Sequence, residues 1–143
     1  MNLRKMLAVS CCLIAMAALG CKKDNLPKTV PAEGIVTLDG NPVEGATIVF
    51  IATQGNYNAT AVSDASGKFK MNAFDTKTGA VPGSYKVQID KTVMESATGK
   101  FGETDVNMKY GLPKKYSTFT TSGLSKDLGD QGDTAIKFEL SSK

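Results

Sequence analysis

The chain predicts an all-β fold, an antiparallel Greek-key β-sandwich of about seven strands. Three observations carry this. Past Glu33, apolar residues recur at every second position in short runs. The runs are separated by Gly, Pro, Asn and Asp turn signals, helped by 14 glycines. No run past Glu33 keeps a helical apolar period over a useful length. At 143 residues, one domain is the natural count, since domains commonly run about 100–150 residues.

In chain order, residues 1–20 have the layout of a secretory signal peptide. Arg4 and Lys5 make a positive start, Met6 to Leu19 is uncharged and mostly apolar, and Ala17, Ala18 and Gly20 close the run with small residues. The run is shorter than the roughly 20 residues that span a bilayer, which disfavours a lasting transmembrane helix. Cysteines stand at positions 11, 12 and 21, and Cys11 and Cys12 fall inside the apolar run and leave with it. Cys21 follows Ala18-Leu19-Gly20. This resembles a bacterial lipobox, in which a small residue precedes the cysteine that is lipidated and becomes the new N-terminus. Ala18 and Leu19 hold the usual Leu and small-residue places in swapped order.

The resemblance implies lipidation of Cys21, with palmitate-type acyl chains holding the protein to a membrane. An exported chain with one leftover thiol needs an explanation, and acylation supplies one. Each buried methylene adds about 0.8 kcal/mol, and more than one acyl chain makes anchoring stable. Residues 21–32 then read as a flexible tether: polar, aperiodic and carrying Pro27 and Pro31, which disfavour helix in the residues before them. The charged residues after Cys21 resemble the sorting signals of some outer-membrane lipoproteins, so the expected location is the outer membrane of a bacterial envelope.

The sandwich is expected over residues 33–143. Glu33 to Phe50 reads as two strands joined by the Asp39-Gly40-Asn41-Pro42 turn, Asp-Gly being a strong hairpin signal. Val36 and Leu38 share one face of the first strand, and Ala46, Ile48 and Phe50 share one face of the second. Ala59 to Ser63 is a small-residue strand with Val62 as the expected core contact. After the Asp64–Gly67 turn, Lys68 to Ala73 turns Phe69 and Met71 inward and Lys68 and Lys70 outward. Phe74 to Val81 reads as a loop. Ser84 to Asp90 alternates Tyr85, Val87 and Ile89 with Lys86 and Gln88, and Thr134 to Leu140 alternates Ile136, Phe138 and Leu140 with Lys137 and Glu139. Between them, Thr92 to Tyr110 reads as a long loop or irregular hairpin. Tyr116 and Leu124 are expected to anchor the following stretch along a sheet edge, with a short strand at Lys126 to Leu128.

Gly34-x-Val36-x-Leu38-Asp-Gly-x-Pro-x-x-Gly-Ala46-x-Ile-x-Phe50, continued by Asp64-x-x-Gly67-x-Phe69 and Pro82-Gly83-x-Tyr85-x-Val87, resembles the carboxypeptidase regulatory-like domains. Leu112-Pro-x-x-Tyr116, Thr121-Ser-Gly-Leu124 and Phe138-x-Leu140 are similar to a subset found as small exported bacterial lipoproteins. The resemblance covers roughly residues 33–141. It implies a transthyretin-like sandwich and no shared catalytic residues.

The composition excludes several chemistries. The chain has no His, which removes the usual acid/base group near neutral pH and the commonest metal ligand. Its only Arg is Arg4, in the leader, so the mature chain lacks the bidentate fork that suits phosphate. Without residues 1–20, 15 basic residues face 14 acidic ones, and no basic stripe points to nucleic acid. Ser and Thr are plentiful, but no His is at hand to activate one, and no Gly-x-Ser-x-Gly elbow exists. Asp64–Gly67 lacks the acidic ladder of a calcium loop. Asp127, Asp130 and Asp133 read as a solvated turn. No catalytic residue, cofactor or small-molecule substrate is expected. Tyr57, Tyr110 and Tyr116 are the residues that could stack on a sugar or touch a partner, Tyr116 also serving as a packing anchor. The sequence therefore points to a non-catalytic, lipid-anchored envelope protein with a structural or protein-interaction role, attached to the membrane by its lipid and possessing another envelope protein as partner. The alternative is an extracellular glycan- or peptide-binding module.

Overall fold

The computed structural model describes residues 26–75, 77–98 and 104–143. The expected signal peptide and the expected lipidation site, Cys21, lie outside the described residues. Among those described, the chain is all-β, with one short 3₁₀ turn.

One sheet is built around β1 (Ala32–Leu38). Its start pairs antiparallel with β5 (Lys68–Lys70), and its end pairs antiparallel with β2 (Asn41–Pro42). Along its other edge it pairs in parallel with β12 (Asp133–Leu140), so that Gly34 lies opposite Ile136 and Val36 opposite Phe138. The second sheet is antiparallel throughout. It runs β11 (Leu124–Leu128), β8 (Gly83–Asp90), β3 (Thr47–Ala52), β4 (Ala59–Val62), β6 (Asn72–Phe74) and β7 (Lys77–Thr78). A separate ribbon, β9 (Thr92–Thr98) with β10 (Thr104–Tyr110), pairs only with itself among the described strands.

The two sheets face each other as a sandwich. Phe50 of β3 meets Phe138 of β12 edge-on at 6.1 Å, and Phe138 stacks on Phe69 of β5 at 5.8 Å. Ile48, Phe50, Val87 and Ile89 are fully buried on one inner face, and Val36, Ile136 and Leu140 are buried on the other. These are the positions the twofold alternation selects, because successive side chains of a strand point to opposite faces.

Four expectations change. Glu33 to Phe50 is not one long hairpin. Asp39 and Gly40 both have positive φ, 48° and 83°, as a tight primed turn requires, but the return strand is only the two-residue β2. The chain then crosses to the other sheet as β3. Lys68 to Ala73 is likewise split, with β5 in the first sheet and β6 in the second, hinging at fully buried Met71. Val62 is 65% exposed and is not a core contact. Its strand instead turns Ala59 and Ala61 inward, opposite Phe50 and Ile48. Small residues fit there because the facing side chains are large, and two large ones would overpack the layer. The parallel β1–β12 pair is the fourth, since alternation is the same for either strand direction.

The sandwich also reaches back past the expected boundary at Glu33. Val30 is buried and exchanges backbone hydrogen bonds with Ala80 at 2.8 and 3.0 Å. The Pro31 carbonyl accepts from the Asp133 N–H at 2.8 Å, and Ala32 has no exposed surface. Residues 30–32 are thus fold rather than tether. Thr92 to Tyr110 forms a hairpin in regular register from Thr92↔Tyr110 to Thr98↔Thr104.

Candidate functional site

Buried hydroxyls come first, because an activated serine would need an unsatisfied one beside a base. Ser63 Oγ donates to the Val43 carbonyl at 2.6 Å and accepts from the Ala46 N–H at 2.9 Å. Ser122 Oγ donates to the Val87 carbonyl at 2.5 Å and accepts from the Leu124 N–H at 3.2 Å. Both are committed to the backbone. Burial pushes the Tyr85 phenol up, and its hydroxyl donates to the Val81 carbonyl. Asp133 binds Lys126 and the Ala135 N–H. Among the described residues no three Cys, Asp or Glu gather as a metal site.

One groove lies on the outer face of β4 and β6. Thr60 and Asn72 are register partners across these strands, and both are exposed. They form the floor of this groove, which is about 500 Å³ and lined also by Asn58, Ala73, Phe74 and Asp75. The loop from β3 to β4 supplies its wall. Gly55 takes a positive φ of 80°, and the Asn58 Oδ1 accepts from the Ala52 N–H at 3.0 Å, which closes the loop back on β3. That closure sets Tyr57 against Phe74, ring centroids 5.8 Å apart at 71°. Tyr57 stays 44% exposed, so Phe74 buttresses the ring and leaves part of it open.

The three sequence-selected tyrosines separate. Tyr57 stands beside the groove, against its lining residue Phe74. Tyr110 ends β10 with the Lys114 Nζ 4.5 Å from its ring centroid. Tyr116 lies in the 3₁₀ turn Lys114–Ser117 and is buried, its hydroxyl accepting from the Ser141 N–H at 3.0 Å. Its ring is core, unavailable to a ligand. The reading by residue type missed Asn58, Thr60, Asn72 and Phe74. The signal present for them was alternation: with Ala59, Ala61 and Met71 inward, Thr60 and Asn72 had to face out.

A second depression, about 380 Å³, lies along β1, β5 and β12, with Ile35, Lys68 and Lys137 in its lining. Ile35 is the register partner of both lysines. Beside it Lys70 pairs with Glu33 at 2.8 Å. No helix among the described residues is long and apolar enough to cross a membrane.

No family model and no curated protein matches the chain. Among solved structures, a 9R-lipoxygenase from Cyanothece PCC8801 is similar with a TM-score of 0.35 and 11% identity. The match takes in 96% of this chain and 20% of that one, and a likeness so distant carries no argument.

Proposed function

We propose that the protein is a non-catalytic, lipid-anchored domain of the bacterial cell envelope that binds another envelope protein. On this reading Cys21 carries the lipid, the outer membrane is its site, and the sandwich is a relative of the carboxypeptidase regulatory-like domains. The observation that carries the interaction role is the β9–β10 ribbon. It pairs with no third strand among the described residues, and a lone two-stranded ribbon is marginal in water. No other described strand lies along its outer edges, and such an edge is where a partner strand joins by sheet addition. The absence of His from the chain and the backbone-bound hydroxyls of Ser63 and Ser122 support a non-catalytic role.

Two measurements test it. Cys21→Ser is expected to move the full chain out of the detergent phase; unchanged partitioning removes the anchor. Crosslinking and pull-down from intact membranes is then compared between the wild type and a variant in which residues 93–109 are replaced by Asn-Gly. Thr92 and Tyr110 are direct register partners, so a two-residue turn joins them without disturbing the sandwich. A specific partner lost on shortening supports the reading. A clean monomer, or capture indifferent to the shortening, overturns it.

A further inference from the structure

We propose that the groove lined by Asn58, Thr60, Asn72, Phe74 and Asp75 binds a neutral carbohydrate, holding its hydroxyls with Asn58, Thr60, Asn72 and Asp75 and stacking a sugar ring on Tyr57, which stands against Phe74 beside the groove. This goes beyond the protein-partner reading and does not depend on it, since the groove and the β9–β10 ribbon share no strand.

The chemistry of the lining selects the ligand. A sugar presents two kinds of surface, a patch of C–H bonds and a rim of hydroxyls. The face of an aromatic ring is electron-rich and meets the C–H patch, and a ring already fixed by a neighbour loses little freedom on binding. Phe74 provides that fixation through its contact with Tyr57 at 5.8 Å. The floor and far wall supply uncharged donors and acceptors. The Asn58 amide is oriented because its oxygen is held by the Ala52 N–H, which leaves its NH₂ as a donor. Thr60 and Asn72 add a hydroxyl and an amide side by side.

Charge and backbone exclude the rivals. Among the described residues no Lys or Arg lines the groove, and Asp75 is the one charged residue in its lining. The nearby Lys77 directs its Nζ to the Leu26 carbonyl at 3.4 Å. Within this lining an anionic ligand would therefore meet a carboxylate and, among the described residues, no cation. A peptide would gain most from a free strand edge, whereas β4 lies between β3 and β6, and β6 between β4 and β7.

The test uses the isotopically labelled full chain in a detergent without a sugar headgroup. Maltohexaose, cellohexaose and chitohexaose are titrated to millimolar concentration, with an oligogalacturonate and an extended Ser/Thr peptide as charged and peptide probes. Saturable shifts of the Tyr57, Asn58, Thr60 and Asn72 amides are expected with at least one neutral oligosaccharide. Tyr57→Ala is expected to weaken that binding by about tenfold or more, whereas Tyr57→Phe, which keeps the ring, retains it, and Tyr110→Ala leaves it unchanged. Tyr57 is an exposed loop residue, and the spectrum itself reports whether the variant folds; Asn72→Ala, at the groove floor, gives a second reading. The proposal is overturned by the absence of saturable shifts with every neutral probe, by binding that survives both Tyr57→Ala and Asn72→Ala, or by binding of the oligogalacturonate or the peptide alone.

Discussion

Lys126 of β11 and Asp133 of β12 form an ion pair at 2.5 Å, and so tie together two strands that belong to opposite sheets. The same carboxylate accepts from the Ala135 N–H at 2.8 Å. The pair closes the Gly129–Gly132 turn, where the chain leaves one sheet and enters the other.

The Lys126 hydrogen bond, and after it the Ala135 N–H, hold the Asp133 carboxyl below its ordinary value. A depressed folded-state pKa contributes stability that is present above the unfolded value, about 3.9, and disappears as pH falls through the folded one. Urea unfolding midpoints followed from neutral pH into acid should therefore fall less for Asp133→Asn than for the wild type. Asp39, lowered chiefly by its hydrogen bonds with Ser142, supplies a second acid-sensitive contribution that the variant retains. At neutral pH Lys126→Met should cost no more than about 1 kcal/mol, because the pair is partly exposed. Identical acid slopes for wild type and Asp133→Asn would contradict this account.

Ser63 is a buried polar residue with a structural task. Its hydroxyl donates to the Val43 carbonyl and accepts from the Ala46 N–H, while its backbone exchanges with Gly45 and Ala46 at 2.9 Å. This pins the crossing from β2 to β3. Ser63→Ala strands a buried donor and a buried acceptor at once, and should lower stability by about 1–3 kcal/mol. Equilibrium urea unfolding measures it; a loss within error of zero would mean that water replaces the hydroxyl.

The inner faces were legible because alternation is a local property. Tyr85, Val87 and Ile89, and Ile136, Phe138 and Leu140, declare themselves within their own strands and are all buried. Which strand joins which sheet is not local. Nothing in Asp39-Gly40-Asn41-Pro42 says that its hairpin stops after Pro42, and nothing in Lys68 to Ala73 says that Met71 hinges between sheets. Val62 misled for a related reason: hydrophobicity favours burial, but register against Ile48 and Phe50 decides it. At the groove, Tyr57 was legible as an exposed aromatic, while Phe74 became its support only when the strand order placed β6 beside β4.

The parallel contact of β1 with β12 depends on Gly34. A Cβ there would stand 2.1 Å from the Ile136 carbonyl oxygen and 2.7 Å from the Ile136 Cβ. The obstacle is backbone, so relief requires the strands to separate. Gly34→Ala should cost at least about 2 kcal/mol, a fall in melting temperature of about 4–8 °C for each kcal/mol. Gly129→Ala serves as control, since nothing lies within 4 Å of its added carbon. Equal melting temperatures for the two variants would show that β1 and β12 can part at little cost.

Tyr116 and Tyr110 sit six residues apart in sequence and should respond oppositely. Tyr116 is 7% exposed, and its hydroxyl is the acceptor for the Ser141 N–H at the C-terminal end of β12. Tyr116→Phe removes that acceptor and should cost about 0.5–1.5 kcal/mol. Tyr116→Ala also opens a cavity where the 3₁₀ turn covers the sandwich, and should cost about 3 kcal/mol or more. Tyr110 is 46% exposed beneath Lys114, so Tyr110→Ala should cost no more than about 1 kcal/mol. Urea unfolding of the variants gives the ranking. If Tyr110→Ala proved the more destabilising of the two alanine variants, the foot of the β9–β10 ribbon would have to be part of the core, and Tyr116 a cover that the sandwich can lose.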